Sequence, residues 1–364
     1  MKIAIENLTK RYGAVVAVDN LSLTIADGEL LVLLGPSGCG KTTTMRAIVG
    51  LEEPTSGRIS VGDSVAYDAA RGINVPPNKR QMGMVFQSYA IWPHRTVGEN
   101  VAYPLERQGL SKAEIAERLA RTLALVGLSD FSGRGASLLS GGQMQRVALA
   151  RSIIAQPRVL LLDEPLSNLD AKLRDHLRFE LREIQQRLGI TAVYVTHDQT
   201  EALALADRIA VMRDGRIIQL DTPSAIYRKP ANTFVADFLG VGNIFPGGVM
   251  AVSPEGISEV KLAAGNTVLR SAMALAIGVR TNVCVRPEHL MLSDGPPLGI
   301  DPRRVSTLPV TVEVATFLGN QIRYLVSGDG MKLNIVANDT SEIFPRGARL
   351  HASIRAEHVQ LLPD

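Results

Sequence analysis

The sequence has few aromatic residues, few cysteines and no long apolar run. Aromatic residues make up 4% of the 364 residues, and the two cysteines, Cys39 and Cys284, are too far apart for a disulfide framework. This usage is typical of a reducing compartment. No apolar stretch approaches the roughly 18 residues of a membrane-spanning helix, and the N-terminus, with Glu6 near its start, lacks a signal-peptide pattern. We therefore expect a soluble chain that can dock on a membrane protein.

No charge of either sign is in large excess. The chain has 39 Lys+Arg and 36 Asp+Glu, a formal net charge of +3. Nucleic-acid binding calls for a basic excess or patch, so no nucleic acid is expected among the partners. The hydrophobic fraction of 46% is ordinary for a globular protein and excludes a disordered chain. The length indicates two or three domains.

The first two thirds of the chain alternate between apolar runs and amphipathic segments. Three runs, at residues 30–34, 159–162 and 191–195, are apolar enough to predict strands buried on both faces, as in a parallel sheet. Leucines and Ile184 between positions 173 and 188 have helical spacing, and Gly189 follows as a C-cap. A capping box at Ser111 predicts a helix to about residue 126, and another helix is expected to begin after Gly141-Gly142 and to run to Ala155. This order predicts an α/β layer with right-handed crossovers.

After about residue 240 the helical periodicity is replaced by short alternating segments. Gly and Pro separate them, and the alternating pairs and triplets are Val283/Val285, Val310/Val312/Val314 and Leu333/Ile335. This pattern predicts a small all-β, barrel-like domain over 241–364, joined by a hinge at 240–243.

A glycine-rich motif follows the first buried run. Residues 35–42, Gly-Pro-Ser-Gly-Cys-Gly-Lys-Thr, match G-x-x-x-x-G-K-[ST] between a predicted strand and a predicted helix. Its backbone N–H groups and the helix N-terminus favour phosphate. Lys41 is expected to reach the β- and γ-phosphates and Thr42 to hold Mg²⁺. The residues expected to bind ATP here are Gly35, Ser37, Gly38, Gly40, Lys41, Thr42 and Thr43. The alternative is an ordinary glycine turn.

Two acidic residues end the second buried run. Asp163 is placed to bind Mg²⁺, and Glu164 to orient or deprotonate the attacking water. A carboxylate at a strand end can instead cap the next helix, but the P-loop favours the catalytic interpretation. Cys39, inside the P-loop, is expected to be tolerated rather than catalytic, and a low thiol pKa is reasonable at a helix N-terminus.

Between these motifs stand residues 139–143, Leu-Ser-Gly-Gly-Gln. P-loop, LSGGQ and a strand ending in Asp-Glu, in that order, resemble the ATP-binding cassette (ABC) ATPases over roughly residues 1–240, with a helical subdomain at about 88–157. The resemblance implies a P-loop NTPase fold and a head-to-tail homodimer that encloses two ATP molecules. It implies that Ser140, Gly141, Gly142 and Gln143 contact the ATP held by the other subunit.

Further positions match that family's pattern. The resemblance implies that Tyr12 stacks on adenine, that Gln87 contacts Mg²⁺ and couples to the membrane subunit, and that His197 contacts the γ-phosphate. It also implies that the loop with Asp170 communicates across the dimer. A half-buried core tyrosine and a structural histidine are the alternatives for Tyr12 and His197. Asn168 is a mild departure, since the family often has Ala there.

Trp92, the only tryptophan, lies in a short apolar segment with Tyr89 and Ile91, followed by His94. The segment follows Gln87 at the place where the family contacts its transmembrane partner, so the resemblance implies an interface role for it. The alternative is that Trp92 belongs to the core of this domain.

Residues 285–289, Val-Arg-Pro-Glu-His, resemble the transport-associated OB-like domains of importer ATPases. That subgroup includes ATPases for sugars, polyamines, ferric iron and phosphonates. The segment from Phe86 to His94 looks more like the polyamine and ferric-iron branch, with sugar or phosphonate next. No substrate pocket can be identified in this part of the sequence.

The sequence therefore predicts the ATP-hydrolysing subunit of an ABC importer, with ATP and Mg²⁺ as cofactors. Integral-membrane permease subunits and an extracytoplasmic solute-binding protein are the expected partners, and the cytoplasmic face of the inner membrane is the expected location. A soluble ABC ATPase of DNA repair or translation, an exporter ATPase and a P-loop kinase are the alternatives. Near-neutral charge, one cassette, the β domain and LSGGQ disfavour them.

Overall fold

The computed structural model describes residues 1–240, 242–296 and 301–362. Val241, within the predicted hinge, lies outside the described residues. The chain divides into two compact units, Met1–Ile226 and Tyr227–Asp364. The division falls inside a short helix, Pro223–Arg228, upstream of residue 240 where the sequence places the domain boundary.

The first unit contains two sheets. Its strands are β1 (Ile3–Tyr12), β2 (Val15–Ile25), β3 (Leu30–Leu34), β4 (Ser56–Val61), β5 (Ser64–Asp68), β6 (Ile73–Asn74), β7 (Met82–Val85), β8 (Val159–Asp163), β9 (Thr191–Thr196), β10 (Arg208–Arg213) and β11 (Arg216–Asp221). An antiparallel sheet has the order β2-β1-β4-β5-β6, and a second has the order β11-β10-β3-β9-β8-β7. In the second sheet β10, β3, β9, β8 and β7 are parallel, and β11 is antiparallel at the edge.

Helices connect these strands. They are α1 (Lys41–Val49), α2 (Val97–Gln108), α3 (Lys112–Leu125), α4 (Gly141–Ile153), α5 (Ala171–Leu188), α6 (Gln199–Leu205) and α7 (Pro223–Arg228). The capping box at Ser111 is confirmed, and Gly189, with φ +60°, closes α5 as predicted. The helix predicted to begin after Gly142 and to run to Ala155 instead begins at Gly141 and ends at Ile153.

The parallel sheet brings residues predicted to act in catalysis and metal binding to one edge. Every residue of β3, β8 and β9 is buried, which confirms the three strands predicted from apolar runs. The register pairs Leu34 with Thr196 and Asp163 with Val195. The carboxyl ends of three adjacent strands therefore lie side by side, which is where open α/β sheets bind ligands.

The second unit consists mainly of β structure, as predicted. It contains α8 (Thr233–Phe238), and its strands are β12 (Asn243–Val252), β13 (Ser258–Leu262), β14 (Val268–Ser271), β15 (Arg280–Val285), β16 (Met291–Ser293), β17 (Val305–Phe317), β18 (Ile322–Gly328), β19 (Met331–Ala337), β20 (Arg349–Arg355) and β21 (Val359–Leu362). Two five-stranded sheets have the orders β14-β13-β12-β15-β21 and β16-β20-β17-β18-β19. Both contribute to one apolar core.

Two details of this unit differ from the sequence expectation. Val314 is 49% exposed although Val310 and Val312 are buried. The cause is a register shift between Val312 and Val314, which ends the alternation of faces. Asn243, placed in the predicted hinge, is instead fully buried at the start of β12, where its amide Nδ2 donates to Asn334 O at 2.8 Å.

A short motif occurs twice in the second unit. Arg286-Pro287-Glu288-His289 follows β15 and Arg355-Ala356-Glu357-His358 follows β20, each forming a 3-10 turn before the next strand. The strands are exchanged between the copies, because β16 pairs with β20 and β21 pairs with β15. The rings of His289 and His358 stack with their centroids 4.1 Å apart.

Candidate active site

The P-loop is held close to the backbone of neighbouring segments. Gly40 has φ +100°, and a Cβ built on it would lie 2.3 Å from the carbonyl oxygen of Ala17. A Cβ on Gly35 would lie 2.3 Å from the carbonyl oxygen of Met212. Both positions therefore need glycine, for steric reasons at Gly35 and for backbone conformation as well at Gly40. Ser37 and Gly38 are exposed at the tip of the loop.

Lys41 lies inside this loop. Its side chain is buried, and its ammonium Nζ donates to the carbonyl oxygens of Gly35 at 2.7 Å and Pro36 at 2.9 Å. Carbonyl dipoles keep a buried ammonium in place without neutralising it. The loop thus holds a positive charge that a phosphate group can neutralise.

Thr42, half-buried with Thr43 on the first turn of α1, meets the end of β8. Its hydroxyl donates to Asp163 Oδ1 at 3.1 Å. Burial raises the pKa of the Asp163 carboxyl, although the Thr42 hydroxyl opposes this shift. A hydroxyl and a carboxylate are the hard oxygen ligands that Mg²⁺ prefers, usually together with substrate phosphates. The two groups therefore fit a metal whose remaining ligands include phosphate oxygens. Within the described ranges no cluster of three or more His, Cys, Asp or Glu side chains could hold a metal ion.

Glu164 lies between Gln87 and His197, two other residues that the sequence predicts for the site. Its Oε1 is 3.2 Å from His197 Nδ1, and its Oε2 accepts a hydrogen bond from Gln87 Nε2 at 3.3 Å. The backbone of Glu164 has φ +43°, in the left-handed region that non-glycine residues rarely adopt. Such strain is commonly found at functional sites, and here it accompanies a carboxylate aimed between two polar side chains.

The segment after Glu164 also contacts Gln87. Asn168 Nδ2 donates to the carbonyl oxygen of Gln87 at 2.9 Å, and Asp170 caps α5 by accepting from the N–H of Leu173 at 3.0 Å. In the sequence, Asn168 stands out only as a departure from the family pattern. Its side-chain amide at an exposed loop position indicated a hydrogen-bonding residue, but its partner, Gln87 O, could not be identified without the fold.

Ser140 and Gln143 form a second cluster, at the start of α4. Ser140 N donates to Gln143 Oε1 at 3.0 Å and Gln143 N donates to Ser140 Oγ at 3.4 Å, a capping box. A Cβ on Gly141 would lie 3.1 Å from Leu169, and one on Gly142 would lie 2.9 Å from Leu173. Within one chain, the structure thus brings Lys41, Thr42, Gln87, Asp163, Glu164 and His197 together and gives the LSGGQ segment other neighbours.

Tyr12 lies at the end of β1. It is 46% exposed, so the alternative of a core tyrosine is not supported. The ammonium of Lys10 lies 4.7 Å from its ring centroid. An exposed ring of this kind is available for stacking.

The Cys39 thiol differs from the sequence expectation. Its side chain is buried, and burial raises the pKa of the Cys39 thiol above the ordinary value, although Lys41 opposes the shift. The expectation of a low pKa was wrong because the loop folds the thiol inward, with Sγ 3.7 Å from Lys41 Nζ, rather than towards solvent. The interpretation of Cys39 as tolerated rather than catalytic is compatible with this burial.

The segment after Gln87 borders a groove of about 670 Å³. Trp92 is half-buried there, with its ring centroid 4.7 Å from that of Tyr103, and the guanidinium of Arg151 lies 4.9 Å from the Trp92 ring. Apolar and polar groups line the groove, among them Met82, Met84, Phe86, Trp92, Tyr103 and Arg151. The structure therefore places Trp92 at a groove rather than in the interior.

Comparison with known proteins agrees with this fold. Residues 18–167 match the ABC transporter family, and residues 283–362 match the TOBE domain family. A ferric-ion import ATP-binding protein of Brucella suis is 46% identical over 94% of this chain and 92% of its own length. A spermidine/putrescine import ATP-binding protein of Rubrobacter xylanophilus is 47% identical, with coverage of 91% and 85%.

Two solved structures are also similar. CbiO1 of Clostridium perfringens, part of an ABC transporter complex, has a TM-score of 0.57 and 29% identity, with coverage of 62% of this chain and 90% of that chain. An ATP-binding cassette solved as a post-hydrolysis dimer with ADP and Pi has a TM-score of 0.53 and 31% identity, with coverage of 61% and 98%.

An ABC cassette ATPase followed by a TOBE domain is the class that fold, site and comparisons define. The chain belongs to the family of ATP-binding subunits of ABC importers. The prediction of an ATPase with a C-terminal OB-like domain is confirmed, and the alternative of a DNA-repair ATPase is not supported. In the described parts of the chain, no helix has both the length and the apolar character to cross a membrane.

Proposed function

We propose that this chain binds ATP together with Mg²⁺ and hydrolyses it with Glu164 as the group that orients and deprotonates water. The observation that carries the proposal is the position of the Glu164 carboxylate, within 3.3 Å of both His197 and Gln87. Thr42, Asp163 and Gln87 would hold the metal, which supplies charge neutralisation at the phosphates. Lys41 and His197 would contact the γ-phosphate.

Two copies would form the complete site. Ser140, Gly141, Gly142 and Gln143 lie at the N-terminus of α4, where backbone N–H groups and the helix dipole favour a phosphate. Within the chain, Gly141 and Gly142 lie against Leu169 and Leu173. A head-to-tail homodimer would bring this terminus to the ATP of its partner, so that ATP favours the closed dimer and hydrolysis releases it. Asp170 would act at this interface, and Tyr12 would stack on adenine.

Permease subunits would dock at the groove beside Trp92. Residues on both sides of Gln87 in the chain, among them Phe86 and Ala90, line the groove, so a segment inserted there would be coupled to Glu164 through Gln87. Its mixed lining of aromatic, methionine and polar side chains suits an amphipathic helix. A solute-binding protein would deliver solute on the opposite side of the membrane, and the ATPase would be peripheral on the cytoplasmic face of the inner membrane.

Ferric iron is the solute that we propose first. Support comes from the ferric-ion import relatives, which align with this chain over nearly its whole length, and from the segment after Gln87. A polyamine is the second candidate, because the spermidine/putrescine import relative is equally similar over 91% of the chain. Uptake of radiolabelled iron and of labelled spermidine, compared between the gene deletion and its complement, distinguishes the two.

The catalytic proposal is tested with Glu164→Gln and, as a matched control, Glu183→Gln at an exposed position of α5. Glu164→Gln should abolish ATPase activity, keep ATP binding and accumulate as an ATP-dependent dimer in size-exclusion chromatography. Glu183→Gln should behave as the wild type. Chelation of Mg²⁺ should stop hydrolysis in the wild type and in Glu183→Gln. Wild-type turnover in Glu164→Gln, without ATP-linked dimerisation, would refute the proposal.

A further inference from the structure

Two side chains outside the predicted site hold the loop at residues 167–170. Asn168 Nδ2 donates to Gln87 O at 2.9 Å. On the other side of the loop, Arg174 Nη2, from the first turn of α5, donates to the carbonyl oxygen of Leu169 at 3.1 Å. The loop is therefore attached to the Gln87 segment by one side chain and to α5 by the other.

Arg174 also reaches the segment that carries His197. Its Nη1 donates to Asp198 Oδ2 at 3.3 Å, and its Nε lies 3.9 Å from Glu201 Oε1. Asp198 is itself fixed as the N-cap of α6, because Oδ1 accepts from the N–H groups of Thr200 and Glu201. The guanidinium thus connects the carbonyl oxygen of Leu169, in the loop at residues 167–170, to Asp198, the N-cap of α6.

Glu201 makes this attachment rigid. Its carboxylate is buried, and Oε2 accepts from the hydroxyls of Tyr194 at 2.9 Å and Thr196 at 2.8 Å, both on β9. A cavity of about 30 Å³ separates Arg174 and Glu201 from Glu164 and His197. Among the described atoms, Arg174 Nε is buried there without a hydrogen-bond partner, so the guanidinium is held from its Nη side.

These contacts form a closed ring of residues that includes Glu164. The ring runs through Gln87, Asn168, Leu169, Arg174, Asp198, His197 and back to Glu164. We propose that Arg174 is a positioning residue: with Asn168, it fixes the loop of Asp170 to the His197 segment, so that both groups contacting Glu164 move with that loop. This inference rests on the proposed roles of Glu164 and His197.

The chemistry of the side chain matters for this role. A planar guanidinium can donate to a carbonyl and a carboxylate at once in fixed directions, which a lysine ammonium on a flexible stem does not reproduce. A small displacement of a catalytic group can cost orders of magnitude in rate. Loss of Arg174 should therefore change turnover more than ATP binding, because Lys41 and Thr42 are not part of the ring.

Arg182 provides a matched control on the same helix. It is 21% exposed where Arg174 is 28% exposed, and its Nη1 donates to Asp207 Oδ2 at 3.1 Å. Arg174→Gln removes the ion pairs of α5 with Asp198 and Glu201. Arg182→Gln removes the ion pair of α5 with Asp207, which is not part of the ring that includes Glu164. ATPase activity of the full-length protein, with thermal unfolding, is measured for both.

We expect kcat of Arg174→Gln to fall about tenfold or more, with KM for ATP changed by less than about twofold. Arg174→Lys should not restore kcat. Arg182→Gln should lower the unfolding temperature without lowering kcat. Asn168→Ala should also lower kcat, and the double variant should lose less than the product of the two single losses, because both hold one loop.

Two results would overturn the inference: wild-type kcat in Arg174→Gln, or equal kcat losses in Arg174→Gln and Arg182→Gln, which would indicate general destabilisation. Glu164→Gln, measured alongside, keeps this failure separate from failure of the proposed function. If Glu164→Gln is inactive and Arg174→Gln is unaffected, only the positioning role is wrong.

Discussion

The hydroxyl of Thr42 donates a hydrogen bond to Oδ1 of Asp163 at 3.1 Å, across 121 positions of the chain. Both groups lie at the carboxyl edge of the parallel sheet, and the carboxylate is buried. Without a cation this arrangement costs stability, because burial disfavours the charged carboxylate. In the proposed function, the bound metal would remove this cost by neutralising the carboxylate.

Asp163→Asn should stabilise the nucleotide-free protein while abolishing ATPase activity. The pKa of Asp163 is raised in the folded protein, so its ionised form is a destabilising group above the unfolded-state pKa of about 3.9. At pH 7 we expect a gain of about 0.5–2 kcal/mol in the free energy of unfolding, which shrinks as the pH falls towards that value. Thermal unfolding at pH 7 and pH 5 without nucleotide measures it.

Asp207→Asn is a control for which we expect the opposite change in the free energy of unfolding. Although burial opposes ionisation, Arg182 and the N–H of Leu30 lower the pKa of Asp207. Its ionised form therefore stabilises the fold at pH 7, and the asparagine variant should be less stable than the wild type. Equal destabilisation of both variants at pH 7 would contradict the sign given for Asp163.

Gly40→Ala should destroy nucleotide binding, whereas Gly13→Ala should not. Both residues have positive φ, +100° and +58°, but a Cβ on Gly40 would collide with Ala17 O, and one on Gly13 meets no atom within 4 Å. The Gly13 variant should lose about 1–2 kcal/mol of stability from backbone strain alone. Denaturant unfolding and binding of a fluorescent ATP analogue test the pair, and normal ATP binding by Gly40→Ala would contradict the loop geometry.

Both thiols should be unreactive in the folded protein at neutral pH. Burial raises the pKa of the Cys39 thiol, and burial raises the pKa of Cys284 to about 12. The thiolate is the reactive form, so we expect modification by a disulfide reagent to be at least about tenfold slower than in denaturant. Mass spectrometry identifies the site. Fast modification of Cys39 without nucleotide would show that the P-loop exposes it.

His289 should titrate below its ordinary range. Burial and, secondarily, His358 lower the pKa of His289. A lowered folded-state pKa means that stability is lost as the pH falls through the unfolded-state value of about 6.5. Histidine NMR titration of the wild type and of His358→Phe tests the cause, because removal of His358 should raise the pKa of His289. An unchanged value in that variant would assign the whole shift to burial.

The sequence was sufficient for features that depend on local pattern. The apolar runs predicted β3, β8 and β9 because a strand buried on both faces needs no polar alternation. The capping box at Ser111 predicted α3 because it forms between residues that are close in the sequence. The convergence of Thr42, Asp163 and Glu164 followed from strand order and family resemblance.

Other features depended on long-range geometry. The inward turn of the Cys39 thiol, the contact of Asn168 with Gln87 O and the reach of Arg174 to Asp198 all join groups whose proximity is set by packing. Val314 was predicted wrongly because a register shift leaves no mark in an alternating apolar sequence. Segment-level reasoning cannot place such contacts.

The exchange of strands between the two Arg-x-Glu-His copies has a consequence for biosynthesis. The first copy's preceding strand, β15, hydrogen-bonds to β21, so Asn282 pairs with Leu362 and Val285 with Val359. Pairings this distant in sequence form late, because a long loop must close first. On the ribosome, one edge of β15 remains unpaired until residues 359–362 emerge. During that interval this edge is open to pairing with another chain.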